Sequence, residues 1–181
     1  MLTTSPPLHE DEPGVVPDDG GAIACLPWRT MDAEVGAWDA LAQRASEPNP
    51  FYESWYLLPS LHHLGSAECV EMLRFERHGR LAGLLPIVRS RRYYRWPVPN
   101  LAGWLHANAF LGTPLIERGA ERPFWRALLE WADGSARTEM FLHLRAVSLD
   151  GPVHRGLTAA LGDRTSAIVH REERALLRSP L

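Results

Sequence analysis

The chain contains no lysine, because all 19 of its basic residues are arginine. Schiff-base enzymes, pyridoxal phosphate enzymes and phosphate-binding P-loops all need a lysine amine, so these classes are excluded. Cys25 and Cys69 are the only cysteines, too few for a disulfide framework or a cysteine zinc site. The sequence also lacks HExxH, Gly-x-Ser-x-Gly and GxGxxG patterns. We expect no metal site, no serine hydrolase elbow and no Rossmann loop.

Long apolar runs are missing as well. No stretch approaches the roughly 20 apolar residues that span a bilayer. The acidic, proline-rich start, MLTTSPPLHEDEPG, lacks the apolar segment of a signal peptide. The net charge of -3 argues against general binding of polyanions. We therefore expect a cytoplasmic protein without nucleic-acid or membrane partners.

Length and composition fit one globular domain. The chain has 181 residues, of which 45% are apolar and 23% charged. A domain of this size buries roughly 70% of the surface that its unfolded chain exposes. Residues 1–21 combine proline, glycine and acidic residues, which predicts a disordered tail. Residues 22–181 are predicted to form the folded domain.

The clearest local structure is a β-hairpin. Two β-like runs, residues 70–77 and 80–88, are separated by His78 and Gly79, a pair suited to a tight turn with positive φ. Pro86 lies inside the second run and cannot donate to a ladder, so we expect a bulge or a sheet edge there.

Helices and strands alternate around this hairpin. A strand (22–26) precedes an amphipathic helix that is capped at Thr30 or Asp32 and buries Val35, Trp38, Leu41 and Ala45. A second helix begins with Ser54 as N-cap, runs to about Leu64 and closes at Gly65. The later predictions are an irregular stretch (89–109), strands at 110–116, 140–147, 166–170 and 175–178, and helices at 123–134 and 152–161.

Four blocks in this order resemble a known family. They are PNPFYESWYLLPSLHHL, ERHGRLAGLLPIV, WLHANAFLGTPLI and FWRALLEWA. Together they resemble the GNAT superfamily, in particular the CelD-like (cellulose-biosynthesis-type) acetyltransferases, over residues 22–181. The resemblance implies an α/β fold with a mixed, mainly antiparallel sheet flanked by helices. It also implies that this chain matches the first, N-terminal half of a tandem-GNAT protein.

The resemblance further implies transfer of an acyl group from acetyl-CoA to a small-molecule amine. Such enzymes hold the CoA pyrophosphate at a glycine-containing strand-to-helix turn, and the nearest match in this sequence is Arg80 to Leu85. Its last position departs from the pattern because it is leucine. On this reading the chain is the lobe that shapes the acceptor cleft, and a second GNAT-like half or a homo-oligomer could complete it.

Candidate site residues concentrate between the hairpin and the third helix. His106 and Asn108 share one side of an extended segment, so histidine could deprotonate an ammonium while asparagine orients it. We take both as candidate catalytic residues, with structural roles in an irregular loop as the alternative. The candidate substrate-binding residues are Asn49 and Phe51 from the first block, Trp104 and Phe110 beside His106, and His143 and Arg145 on a later strand.

Arginines and aromatic rings alternate just after the hairpin. Arg89, Arg91 and Arg92 precede Tyr93 and Tyr94, a mixture that could pair with phosphates and stack on flat rings. We assign these three arginines as candidate cofactor-binding residues. A solvated basic loop is the alternative.

Two other functions stay open at this point. The missing cofactor turn also fits a catalytically silent lobe or an interaction module that needs a partner half. A small-ligand binding domain that uses the segment from Trp104 to Phe110, without turnover, is the third possibility.

Overall fold

The computed structural model describes residues 21–63, 69–135 and 138–173. Residues 1–20 of the predicted tail, the predicted helix end at Leu64 and Gly65, and the predicted strand at 175–178 lie outside this part of the chain. The strands are β1 (Ala22–Pro27), β2 (Val70–Arg77), β3 (Arg80–Ser90), β4 (Asn100–Gly103), β5 (Leu115–Ile116) and β6 (Leu142–His143). The α-helices are α1 (Val35–Arg44), α2 (Ser54–His63), α3 (Glu121–Ser135) and α4 (Pro152–Ala160).

All six strands belong to one mixed sheet. Its order is β1-β2-β3-β4-β6, and β5 pairs with β3 beside β4. Every pairing is antiparallel except that of β4 with β6, which is parallel. The expected fold class, a mainly antiparallel mixed sheet flanked by helices, is confirmed.

The hairpin of β2 and β3 forms as predicted. His78 (φ 52°) and Gly79 (φ 70°) both adopt the left-handed conformation that a two-residue hairpin turn requires. The sheet irregularity, however, lies at Phe75 and Glu76 rather than at Pro86. Pro86 pairs with Met72 in the middle of the sheet, and its carbonyl accepts a bond from the Trp104 amide (2.8 Å). The predicted bulge or edge at Pro86 was therefore wrong.

Tryptophans and phenylalanines fill the core around the sheet. Trp38 and Trp125 are fully buried, and each indole N–H is satisfied by a backbone carbonyl, of Tyr52 and Val153 respectively (2.8 Å each). Phe124 of α3 packs edge-on against Phe75 of β2, over the space that the missing side chain of Gly83 leaves. Large buried apolar side chains of this kind supply most of the driving force for folding.

Several predicted boundaries were wrong. The first helix begins with a 3-10 turn at Trp28–Glu34, where Thr30 bonds back to the Pro27 carbonyl instead of capping α1. Ser54 is the first residue of α2, and its hydroxyl bonds the Asp39 carboxylate. Short β4 lies within the predicted irregular stretch, the strand predicted from 140 shrinks to Leu142–His143, and residues 166–170 are not a strand.

Candidate active site

On the side of β3 that faces away from β2, two short strands take the place of one continuous strand. β4 pairs with β3 from Ile87 to Ser90, and β5 pairs with it at Gly83 and Leu84. Between β4 and β5 the chain leaves the sheet as residues 104–114, which we call the β4–β5 loop. This loop carries Trp104, His106, Asn108 and Phe110, four of the predicted site residues, out of the sheet to one place.

The base of the β4–β5 loop is fixed by buried hydrogen bonds. The fully buried Asn49 donates to the carbonyls of Leu111 (3.2 Å) and Thr113 (2.7 Å) and accepts from the Phe51 amide (3.1 Å). The buried Tyr52 hydroxyl donates to the Trp104 carbonyl (2.7 Å). Asn49 is fully buried and bonds only backbone groups, so it holds the base of the loop, and its predicted contact with a substrate stays a prediction.

The tip of the β4–β5 loop packs on α2. The His106 ring stacks on Tyr56, with centroids 5.5 Å apart and planes at 16°, and the Tyr56 hydroxyl donates to the Asn108 carbonyl (3.1 Å). Phe51 packs edge-on against both Tyr56 and Phe110. His106 and Asn108 lie on a turn, not on the predicted extended segment, since the Ala109 amide bonds the His106 carbonyl (3.0 Å).

A cavity of about 330 Å³ opens between α2 and this loop tip. Its walls are mainly rings and short polar side chains, which suits a small ring-bearing ligand. The lining residues are Trp55, Tyr56, Pro59, Ser60, His63, His106 and Asn108.

An acidic cavity of about 310 Å³ lies on the other side of Trp55. Asp39 and Glu53 contribute carboxylates to its wall, and the Trp55 indole N–H donates to Glu53 (2.7 Å). Trp55 lines both cavities and is 64% exposed. The two cavities therefore place negative charge next to an aromatic face, which together attract organic cations.

Local contacts fix the protonation state of His106. Its Nδ1 accepts a hydrogen bond from the Asn108 amide (3.1 Å), so the proton of the neutral ring sits on Nε2. Burial lowers the pKa of His106, which favours this neutral form. The Nε2 atom is shielded from solvent and makes no hydrogen bond within the described residues. The ring therefore keeps an N–H donor without a partner just beneath the wall of the cavity.

We expect the protein to lose stability as the pH falls below neutrality. Burial lowers the pKa of His106, and burial together with Arg145 lowers that of His143, from the ordinary value of 6.5. Both groups bind protons more tightly in the unfolded chain, so the stability they contribute is complete above pH 6.5 and is lost as the pH falls through the folded pKa values. Unfolding free energies from urea denaturation, measured at several pH values below 7, should fall less steeply with decreasing pH in H106N/H143N than in the wild type. An equally steep fall in that double variant would contradict the assignment.

The structure does not provide the predicted pyrophosphate turn. Residues 80–85 lie within β3, which is paired on both sides, so the nearest sequence match cannot form a phosphate-binding loop. The actual turn before α3 uses the amides of Glu117, Arg118 and Ala120 in internal backbone bonds. Pro123 has no amide hydrogen, and Gly156 of α4 packs against the backbone of Glu121 and Arg122.

The charges around the two helix starts oppose a diphosphate as well. Glu117 is a buried carboxylate that already binds Arg44 (3.0 Å) and Arg80 (2.6 Å). At α4, the Glu47 carboxylate occupies the helix start by accepting from the Val153 amide (2.8 Å). The starts of α3 and α4 therefore do not fit the diphosphate of acetyl-CoA.

The other predicted site residues lie apart from the cavities. Arg89 binds Glu71 (3.2 Å) and Glu139 (2.9 Å), which raises its pKa, chiefly through the bond to Glu139. The His143 ring packs against Tyr93. Neither cavity is lined by the five predicted residues of this group, which are His143, Arg145, Arg89, Arg91 and Arg92.

The sequence interpretation missed the contribution of α2. Tyr56, Ser60 and His63 recur at helical spacing, so they project from one side of the helix into the cavity, and Trp55 adjoins them. A polar and aromatic stripe at this spacing was the available signal. We interpreted the same residues only as part of a helix.

No family model and no curated protein sequence matches the chain. Solved structures do match. An aminoglycoside acetyltransferase from an uncultured soil metagenomic sample, in complex with sisomicin, has a TM-score of 0.50 and 11% identity, covering 88% of this chain and 99% of its own. The aminoglycoside antibiotic 6'-N-acetyltransferase AAC(6')-IG from Acinetobacter haemolyticus has a TM-score of 0.50 and 14% identity, covering 85% and 98%.

A GNAT family acetyltransferase from Staphylococcus aureus also matches, with a TM-score of 0.47, 12% identity and coverage of 84% of this chain and 99% of its own. The two aminoglycoside acetyltransferases, whose TM-scores are 0.50, share the fold of this chain, which is the fold of GNAT acetyltransferases. At these identities the similarity is one of fold, and the activity has to be argued from the site.

Proposed function

We propose that this chain is the acceptor-binding lobe of a GNAT-type N-acyltransferase and that it binds a small ring-bearing amine. The observation that carries the proposal is the cavity between α2 and the β4–β5 loop, where His106 presents a buried N–H donor beside aromatic walls. The fold is shared with acetyltransferases that act on amines, as the aminoglycoside acetyltransferases named above do.

The two cavities divide recognition of the amine between them. Asp39 and Glu53 offer carboxylates to an ammonium group, and the exposed face of Trp55 offers a cation–π contact. Across Trp55, the ring of the ligand lies against Tyr56. A small movement of the loop tip exposes His106 Nε2, which then donates a hydrogen bond to a hydroxyl or carbonyl oxygen of the ligand. This role replaces the predicted general base, because Nδ1 is already engaged and Nε2 carries the proton. Asn108 contributes its backbone, which holds both His106 and Tyr56.

The acyl donor, acetyl-CoA, needs a binding site outside the two cavities. Since the starts of α3 and α4 do not fit a diphosphate, and every copy of the chain has the same helix starts, acetyl-CoA would be held by a second GNAT-like half or at an interface between two copies of the chain. This agrees with the resemblance to the first half of a tandem protein. The cleft would then lie between two lobes. As expected from the sequence, we propose a cytoplasmic location for the whole protein.

The test is calorimetric titration of the purified chain with two sets of probes. We expect no saturable binding of acetyl-CoA, and we expect binding of glucosamine or tyramine but not of glucose or phenol, which lack the amine. The variant H106A should weaken amine binding about tenfold, because it removes a hydrogen bond from a buried donor. The matched control H154A changes a histidine on α4 that lines neither cavity.

Each arm of this experiment has a contrary outcome. Saturable binding of acetyl-CoA by the chain alone would show that the donor site is complete here, and the lobe proposal would fail. Equal binding of glucose and glucosamine would reject the amine as acceptor.

A second candidate function is ligand binding without turnover. The misfit of the helix starts to a diphosphate favours it, since the same cavity could serve a binding protein. Mass spectrometry of an amine that binds, incubated with acetyl-CoA and the chain at concentrations where the chain is a dimer, tests turnover by two copies. An acetylated product excludes binding without turnover, whereas bound but unmodified amine excludes a transferase whose donor site lies between two copies of the chain.

A further inference from the structure

A structured hairpin projects from the sheet between β3 and β4. Tyr93 and Trp96 exchange both backbone hydrogen bonds (3.0 Å each), which closes a tight turn at Tyr94 and Arg95. The Tyr93 ring is anchored between Tyr94 (4.7 Å), Phe141 (5.0 Å) and His143 (5.1 Å). The segment is therefore preorganised, although it was predicted to be irregular. We call residues 90–98 the arginine–aromatic hairpin.

The tip of this hairpin exposes apolar surface. Tyr94 is 79% and Trp96 64% exposed, and Met140, which bonds the Pro99 carbonyl through its amide, is 73% exposed. Tyr94 also adopts the left-handed conformation (φ 52°), which a bulky residue rarely takes. Exposed large apolar groups and a strained backbone at the same place indicate a functional surface.

Unpaired positive charge surrounds the same tip. Arg91, Arg92 and Arg95 are exposed and make no ion pair within the described part of the chain. Arg89, by contrast, is neutralised by Glu71 and Glu139 at the base of the hairpin. The tip thus carries three free guanidinium groups on a protein whose net charge is -3.

We propose that the arginine–aromatic hairpin docks the protein on the anionic surface of a lipid bilayer. The shape excludes a small molecule, because residues 94–97 are all exposed and a small ligand needs a concave site. Tyrosine and tryptophan prefer the bilayer interface, and arginines are attracted to anionic headgroups. Met140 favours lipid over nucleic acid, because a thioether offers no flat ring for bases to stack on.

Docking on a membrane surface differs from the expectation drawn from the sequence, which included no membrane partner. The lack of long apolar runs concerns membrane spanning, and within residues 21–63, 69–135 and 138–173 no helix is long and apolar enough to cross a bilayer. Docking needs only a small apolar tip and a few basic residues. It is independent of the proposed acyl acceptor, since neither cavity includes a hairpin residue.

Co-sedimentation with vesicles tests the proposal. We expect the chain to sediment with vesicles of equal parts phosphatidylcholine and phosphatidylglycerol, and not with phosphatidylcholine alone. The variant R91Q/R95Q should lower the partition about 30-fold, since each arginine near an anionic surface contributes about fivefold. The matched control R118Q/R122Q removes two exposed arginines beyond the opposite end of β3 and should lower it much less.

A second pair of variants tests the aromatic tip. Trp96 and Trp55 are equally exposed, at 64%, but only Trp96 lies on the hairpin. We expect W96S to lower the partition about tenfold and W55S to leave it unchanged. Equal loss in both variants, or no sedimentation of the wild-type chain, would overturn the proposal. Binding to a single-stranded oligonucleotide without binding to anionic vesicles would overturn it in favour of nucleic acid.

Discussion

We expect the Gly112→Ala variant to lose about 3 kcal/mol of unfolding free energy, because the added methyl group has no room between the β4–β5 loop and the segment at Arg145. A methyl group on Gly112 would overlap the carbonyl oxygen of Arg145. That oxygen belongs to backbone and cannot rotate away, so the segments must separate and the bond from the Gly112 amide to the Ala146 carbonyl (2.8 Å) is lost. The midpoint of urea denaturation reports the change.

Gly36→Ala is the matched control. Gly36 lies in α1 with no atom near the position of an added methyl group. Alanine is favoured over glycine inside a helix by roughly 0.5–1 kcal/mol, so this variant should gain stability. A loss of unfolding free energy at Gly112 together with a gain at Gly36 would support the close contact between Gly112 and the Arg145 carbonyl. A Gly112→Ala variant as stable as the wild type would show that the loop does not contact residues 145 and 146 as described.

The Asn49→Ala variant should also lose about 3 kcal/mol, and it should lose amine binding as well. The substitution leaves the buried carbonyl of Thr113, and the partly buried carbonyl of Leu111 and amide of Phe51, without their partner. Each abandoned buried group costs on the order of 1 kcal/mol. Because these bonds fix the base of the β4–β5 loop, His106 would no longer be held against Tyr56.

Asn108→Ala provides the comparison for Asn49. Asn108 is exposed, and its backbone amide and carbonyl, not its side chain, make the hydrogen bonds that hold the loop tip. We expect a stability change within about 0.5 kcal/mol, as for other exposed positions. Urea denaturation and calorimetric titration of glucosamine, run on both variants, separate the two roles. Similar losses at both positions would contradict the positioning role of Asn49.

The local sequence was sufficient where one physical preference dominated. His78 and Gly79 specify the hairpin turn through their tolerance of positive φ, and the β2 and β3 runs on either side follow from it. The helical spacing of Trp125, Leu128 and Leu129 likewise specified α3, and Pro152 specified the start of α4. The order of these elements predicted a mixed α/β sheet, and the resemblance of four sequence blocks to the GNAT superfamily implied the fold that the structure shows.

The local sequence failed where the outcome depends on distant partners. Strand β4 is only four residues long, and it forms because it pairs with residues Ile87 to Ser90 of β3. Thr30 and Ser54 were credible helix caps, yet their hydroxyls bond Pro27 and Asp39 instead. In both cases a contact made in the folded structure outweighed a local preference of the chain.

By itself, then, the sequence determined the hairpin, the helices that bury tryptophan and leucine, and the absence of lysine chemistry, because each depends on residue type and spacing along the chain. Only the tertiary structure decided the site. It brought the β4–β5 loop onto Tyr56 of α2 and placed the Glu47 carboxylate at the start of α4. The bonds that do this join residues 52 and 106 positions apart, for which spacing along the chain carries no signal.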